Sequence, residues 1–255
     1  MKNLRRRYLP NFATLNSEYN FDVSRLQESY FYSINKNKDD GMNHHFTINS
    51  VEDKDKKKFY NTDKSGYEQV NLTSYNEIDT SDGYEKAEWQ WWNSRKDITQ
   101  AERKSYYRKT LQNKLDGLES TIETSYAKMN SLTDEYMKEI LKRHKGKVTR
   151  VRWAVANPGM KMQPHLDYDT TYAVRYHYPI ITNSDAVICV ARKDDKVYGG
   201  VQKIHMFATG VVYFVNQGWT HWIENNGDSP RVHLIVTVVG QEDLEDCSPI
   251  VYNLN

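Results

Sequence analysis

A mainly β fold with supporting α-helices, its strands packed as a sandwich or barrel, is what this 255-residue sequence predicts. Three observations carry the prediction. Short segments rich in β-branched and aromatic residues dominate after Lys147: Thr149 to Ala156, Ala173 to Ile181, Ala186 to Arg192, Gly210 to Val215, Trp219 to Glu224 and Arg231 to Val239. Turn-forming clusters separate them, at Asn157-Pro158-Gly159, Asn183-Ser184-Asp185, Gly199-Gly200, Asn216-Gln217-Gly218 and Asn225 to Asp228. Short strands punctuated in this way read as a sandwich or barrel. Apolar stripes of helical period precede them, and such stripes buttress a sheet.

The elements follow in order. Residues 1–97 read as a polar N-terminal region, weakly structured or packed on the core, and residues 98–255 as helices plus the β core. Pro10 is the only proline before Pro158. Val23 to Ile34 predicts a short helix with Ser24 as its cap and Gln27 answering it. The charge run Asp53 to Lys58 reads as a solvated loop, and Tyr67 to Ile78 as a strand. Trp89, Trp91 and Trp92 are placed to anchor the polar region on the main domain. Thr99 and Glu102 have capping-box spacing, and Leu111, Leu115, Leu118 and Ile122 then trace one helix face. A second amphipathic stretch holds Leu132, Tyr136, Met137, Ile140 and Leu141 and stops at Gly146.

Composition excludes several classes. Aromatic residues reach 13%, enough to anchor a core in a chain whose hydrophobic content is only 38%. Lys and Arg number 35 against 34 Asp and Glu, and the formal net charge of +1 argues against a nucleic-acid wrapper. Cys189 and Cys247 allow one bridge at most, so a reducing compartment, the cytoplasm, is expected. No apolar run approaches the roughly 20 residues of a membrane helix. The basic start, Met1 to Tyr8, lacks the apolar stretch of a secretory signal. There is neither a phosphate-binding Gly-rich loop nor a Gly-x-Ser-x-Gly elbow.

The chemistry concentrates at Pro164-His165-Leu166-Asp167. In an extended segment residues i and i+2 point the same way, so His165 and Asp167 can face one ion. His221, in Gly218-Trp219-Thr220-His221-Trp222, supplies a third donor. Two imidazoles and one carboxylate suit Fe(II) with positions left open, and equally suit zinc or manganese. Arg231 lies ten residues beyond His221, across the turn Asn225 to Pro230. Pairing of the two segments as an antiparallel hairpin would set 221 and 231 opposite, with Cβ atoms about 4.5–5.5 Å apart. The guanidinium fork would then meet the far carboxylate of a dicarboxylic co-substrate that chelates the metal at its other end. His233 shares the Arg231 face by alternation, as a pocket-lining or buried core histidine.

The order His-x-Asp, then His, then Arg ten residues later resembles that of the Fe(II)/2-oxoglutarate oxygenases. The similarity is closest to the aspartyl/asparaginyl β-hydroxylase family and its relatives that hydroxylate free amino acids such as proline. It spans Thr149 to Gly240. It takes in Arg175-Tyr176-His177-Tyr178-Pro179-Ile180, similar to the family's Arg-x-His segment, and Phe207-Ala208-Thr209-Gly210 through Phe214 to His221, similar to its run into the distal histidine. The resemblance implies a double-stranded β-helix core, the jelly-roll or cupin-like fold. It implies Fe(II) on His165, Asp167 and His221, with 2-oxoglutarate bound by Arg231 and assisted by Arg175 and His177. It further implies consumption of O2 and hydroxylation of an amino acid, free or within a polypeptide, with release of succinate and CO2. Members of the namesake branch can carry a small residue where Asp167 stands. Its presence places the chain nearer the His-x-Asp relatives, away from an Asp/Asn peptide substrate, and argues against halogenation. Two other readings stay open: a non-catalytic β-sandwich that binds a ligand or partner and keeps the pocket as scaffold, and a zinc hydrolase on the same donors.

Overall fold

The computed structural model describes residues 4–39, 45–47, 66–74, 127–167, 169–192 and 200–250. Its strands are β1 (Phe12–Thr14), β2 (His45–Thr47), β3 (Tyr67–Asn71), β4 (Thr73–Ser74), β5 (Lys128–Met129), β6 (Lys147–Ala156), β7 (Val174–Ile181), β8 (Ala186–Arg192), β9 (Gly200–Ile204), β10 (Tyr213–Val215), β11 (Thr220–Asn225), β12 (Arg231–Val239) and β13 (Ser248–Pro249). Among the described residues two α-helices, α1 (Val23–Asp39) and α2 (Glu135–Leu141), accompany them.

Long segments rich in β-branched and aromatic residues, with basic and polar residues interspersed, give β6, β7 and β12. They form the centre of a large antiparallel sheet ordered β13-β1-β10-β7-β12-β6-β3-β2. A small sheet, β11-β8-β9, forms a second layer. From β6 onward the chain alternates between layers: β6 in the large sheet, Lys161 to His165 bridged to β11, β7 back in the large sheet, β8 and β9 in the small one, then β10, β11 and β12 in turn. The four large-sheet strands β6, β12, β7 and β10, wound against β11, β8, β9 and the bridged segment Lys161 to His165, make the double-stranded β-helix, or jelly-roll, core.

Because successive strand residues point to opposite faces, each central strand serves two environments. On the outer face Val151, Trp153, Val155, Tyr176, Tyr178, Leu234 and Val236 are buried with Leu26 of α1 and Met137 and Ile140 of α2. On the inner face Ala154, Ala156, Tyr213 and Ile235 meet Ile188, Val190, Ile204 and Ile223 of the small sheet. Both helices therefore buttress the outer face. Deleting a fully buried side chain of this outer core, such as Leu26 or Ile140, would cost about 2–5 kcal/mol.

Several expectations need adjustment. The first helix is longer than Val23 to Ile34, and its cap is Asp22, whose Oδ1 accepts from Arg25 N at 3.1 Å. Gln27, expected to answer the cap, instead donates to the Ile180 carbonyl at 2.7 Å. The second helix starts at Glu135, where Asp134 accepts from Met137 N at 2.8 Å. The strand expected over Gly210 to Val215 begins only at Tyr213. Gly210 has a left-handed φ of 85°, and Phe21 O lies 2.4 Å from where a Cβ would stand. The N-terminal chain docks there, through Phe21 N to Gly210 O at 2.9 Å. The boundary near residue 97, the tryptophans at 89, 91 and 92, the charge run 53–58 and the helix over 99–122 lie outside the described residues.

The largest correction concerns β11 and β12. They do not pair as a hairpin. His221 lies opposite Val190 of β8, and Arg231 lies opposite Ala156 of β6. The turn between them crosses from one layer to the other. Asn225 holds that corner: its amide donates to the carbonyls of Ala156 at 2.8 Å and Ser229 at 2.9 Å, while Asn183 donates to its Oδ1 at 3.1 Å. These ties draw the backbone away from a tight two-strand return.

Candidate metal centre

His165 and His221 are cross-strand neighbours. His221 N donates to His165 O at 2.9 Å and His165 N to His221 O at 3.1 Å, so the segment carrying His-x-Asp runs antiparallel beside β11. Their rings lie 4.3 Å apart between centroids. Asp167, two residues on, turns to the same point: its Oδ1 is 3.8 Å from His165 Nε2 and its Oδ2 is 3.5 Å from His221 Nε2. One donor atom from each of the three lies within 4.8 Å of the others. Exposure falls from 40% at His165 through 18% at Asp167 to 7% at His221, so the group opens on the His165 side.

Each imidazole is fixed from behind. His221 Nδ1 bonds the Trp219 carbonyl at 3.0 Å and His165 Nδ1 the Gln163 carbonyl at 2.9 Å. A carbonyl only accepts, so both Nδ1 atoms carry a proton, and both Nε2 atoms are turned toward the carboxylate. Burial, followed by the neighbouring His165, pushes the His221 pKa down to about 3 against the opposing pull of Asp167, so this ring is neutral at neutral pH. At Asp167 loss of solvent works upward, but the charge of Arg175, with lesser contributions from His221, His165 and Arg150, outweighs it and holds the carboxyl below the ordinary range. A neutral His221 imidazole beside an ionised carboxylate, with both histidine rings tied back through their second nitrogen, is the arrangement a divalent transition metal requires. The residues fit such an ion.

Arg231 enters from the opposite layer. It is 1% exposed, and no carboxylate among the described residues pairs with it. Its Nη2 lies 2.8 Å from His233 Nδ1, while Nη1 is buried without a hydrogen-bond partner. Burial lowers its pKa to about 10, so it remains charged. An unmatched buried guanidinium is costly, and an anion is its natural complement. Ala154 and Ala156 of β6 lie opposite His233 and Arg231 in the register. His177 lies next along, its ring centroid 5.7 Å from that of His233 and its Nε2 3.5 Å from Gln217 Nε2. Burial and then the charges of Arg231, Arg152 and Arg175 keep the His177 pKa well down.

The structure thus brings His165, Asp167 and His221 together and lines Arg231, His233 and His177 along the same inner face. Arg175 Nη1 bonds Asp167 directly. Sequence reading missed Gln217, Arg150 and Arg152. The last two carried only their basic character as a signal, and Gln217 sat in a segment read as a turn.

A jelly-roll core carries a His–Asp–His donor group and, on the opposite layer, a buried arginine with a spare donor. The family model for aspartyl/asparaginyl beta-hydroxylase matches residues 78–240, more than half of the chain, and the chain belongs to that family. The family is one of hydroxylases, hence oxidoreductases that bind a substrate. No curated protein sequence matches the chain. Among solved structures it is similar to an oxidoreductase of the 2OG-Fe(II) oxygenase family from Burkholderia pseudomallei, with 8% identity, coverage of 89% of this chain and 84% of that one, and a TM-score of 0.45. It is also similar to a prolyl-4-hydroxylase from Pseudomonas putida, at 14% identity, 40% and 60% coverage and a TM-score of 0.31. A third likeness is to the capsular polysaccharide assembling protein CapF from Staphylococcus aureus, at 18% identity, 42% coverage of this chain and TM-score 0.28; the match spans 30% of the CapF chain. No helix among the described residues is long and apolar enough to cross a membrane. Both cysteines are free thiols, Cys189 buried and Cys247 half-buried.

Proposed function

We propose that the protein is an Fe(II)/2-oxoglutarate-dependent dioxygenase that hydroxylates an amino acid, free or within a polypeptide, and releases succinate and CO2. The observation that carries this reading is Arg231: a buried guanidinium with an unused donor, on the layer opposite the one that carries His221 of a His–Asp–His group. A zinc hydrolase has no need of a buried anion pocket beside its metal, and a scaffold protein no need of an unpaired buried charge.

His165, Asp167 and His221 would hold the iron. Bound there, the metal would supply the activation of dioxygen that is coupled to oxidative decarboxylation of 2-oxoglutarate. The chain's own residues do the rest. The carbonyls of Trp219 and Gln163 lock both imidazoles in the Nδ1–H form. Arg175 holds the Asp167 carboxylate in place and ionised. Arg231 takes the far carboxylate of the co-substrate through its free Nη1, while His233 accepts from Nη2 and so fixes the fork. His177, kept neutral, offers a second polar contact without adding charge. The apolar residues between the layers, Met160, Ile188, Val190 and Ile204 among them, keep water from this interior.

The test is a succinate-release screen with Fe(II), 2-oxoglutarate and oxygen over free amino acids, then peptides. Succinate formation stimulated by one amino-acid class, and abolished in His221→Ala, is expected. Substrate-independent hydrolytic activity that persists with zinc and ignores 2-oxoglutarate would replace this reading with the hydrolase.

A further inference from the structure

We infer that the N-terminal arm is a positioning element for the metal centre: Arg6, with Arg192, holds Trp219, and the Trp219 carbonyl holds His221. The inference rests on the reading of His221 as a metal ligand and adds to it a segment, residues 4–11, that lies outside the span matched by the family model.

The contacts form a continuous chain. Arg6 Nη1 donates to the Gly218 carbonyl at 2.8 Å. Its guanidinium carbon stands 4.7 Å from the Trp219 ring centroid, and that of Arg192 stands 5.3 Å away. Arg192 Nη2 returns to the arm, donating to the Arg7 carbonyl at 2.7 Å. The loop is gripped from its other end too. The Asn216 side-chain amide donates to the carbonyls of Arg6 at 2.9 Å and Pro10 at 3.1 Å, and Asn216 N donates to Asn11 O at 2.9 Å. Gly218 permits this close approach, since a Cβ there would meet Arg6 Cβ at 2.7 Å. The arm continues into β1, which is fixed beside β10 with Phe12 opposite Val215. Residues 216–219 are thereby held against the arm by backbone, amide and cation–π contacts together.

The consequence reaches the metal through one hydrogen bond, from His221 Nδ1 to Trp219 O at 3.0 Å. A ligating histidine depends on the anchor of its second nitrogen for tautomer and ring orientation, and loss of such an outer partner costs about 10–100-fold in metal affinity. Arg6 acts one step further out, so its removal is expected at the lower end, about tenfold. Both anchors are carbonyls two residues back on the same segment, but the segment behind His221 is itself gripped by a part of the chain more than two hundred residues earlier.

The experiment titrates the full chain with Co(II) alone and follows the visible ligand-field bands, in wild type, Arg6→Ala, Arg6→Lys and Arg192→Ala. Unfolding midpoints of the metal-free proteins are measured alongside. Arg6→Ala should bind Co(II) about tenfold more weakly with altered bands, while its metal-free midpoint stays within about 4 °C of wild type. Arg6→Lys should recover most of the affinity, because an ammonium still donates to Gly218 O and still lies over the indole. Arg192→Ala, which leaves Arg6 in place, should shift the bands in the same direction by less. Wild-type affinity and bands in Arg6→Ala would overturn the inference, as would an equal loss in Arg6→Lys accompanied by a collapsed midpoint, which would make the arm merely structural. Failure of the wild type itself to bind Co(II) would instead remove the metal centre, and the inference with it.

Discussion

Two histidine–aspartate arrangements sit on opposite sides of the large sheet, and they differ in how completely their atoms are used. Against the outer face, His144 and Asp243 are 0% and 1% exposed. His144 Nδ1 meets Asp243 Oδ2 at 2.6 Å, its Nε2 meets the Tyr178 hydroxyl at 2.7 Å, and Asp243 Oδ1 accepts from Tyr19 at 2.9 Å and Lys145 N at 2.8 Å. Every acceptor and donor of that pair is occupied. On the inner face His165, Asp167 and His221 converge with both Nε2 atoms unspent, and Arg231 across from them keeps a free donor. The same residue types thus make a closed structural lock on one side and an open site on the other. Burial is the same or greater at the lock, so burial does not separate them; unspent donor and acceptor capacity does.

The comparison can be broken at either end. The largest effect belongs to His221→Ala, or His165→Ala, which leaves two donors. Stoichiometric Fe(II) binding should be lost while the far-UV circular dichroism stays that of the wild type; iron content measured after anaerobic loading checks it. Next is Arg231→Ala, which should keep iron and lose 2-oxoglutarate. A broken buried charge pair costs about 3–5 kcal/mol, more than a hundredfold in affinity, and calorimetric titration of the metal-loaded protein reads it. Arg231→Lys should recover only part, since an ammonium cannot reproduce the two parallel bonds of the fork.

The outer lock should fail in a different currency. Asp243→Asn removes an ionised acceptor and should lower stability by about 2 kcal/mol in urea melts while leaving metal affinity alone. At Asp243 burial acts upward, but the hydrogen bonds from His144, Lys145 N and Tyr19 prevail and lower its pKa. A carboxyl whose folded pKa is depressed contributes stability that is complete above its unfolded value, near 3.9, and is lost as pH falls through the folded one. Wild type should therefore lose this contribution below about pH 4, and Asp243→Asn should show a flatter acid limb. The smallest effect is Arg175→Ala. Because Arg175 bonds Asp167, it should weaken metal binding by about tenfold, as loss of an outer partner does, and not act on the co-substrate alone.

How much of this was legible in the sequence depended on the range of the interaction. The bounds of β8 and β12 match the sequence reading, because each is a buried run rich in β-branched residues closed off by turn residues. His165 and Asp167 could be joined from the two-residue period of an extended segment. The pairing of His165 with His221 could not, since it is a contact between distant segments that leaves no local pattern. The expected hairpin between His221 and Arg231 failed for the same reason: Asn225 to Pro230 announces a turn without saying whether the chain returns beside itself or crosses to the other layer. Arg231 still arrives at the inner face, by alternation along β12 and not by facing His221. The carbonyls of Trp219 and Gln163 that anchor the two rings carry no side-chain signal at all.

The central claim is that the inner face holds a metal and a 2-oxo dicarboxylate together. The most direct measurement is an anaerobic titration of the Fe(II)-loaded protein with 2-oxoglutarate, followed in the visible range. A weak charge-transfer band that grows and saturates at one equivalent, and that succinate fails to produce, is the predicted result. An iron-loaded protein that shows no band at any 2-oxoglutarate concentration would contradict the account.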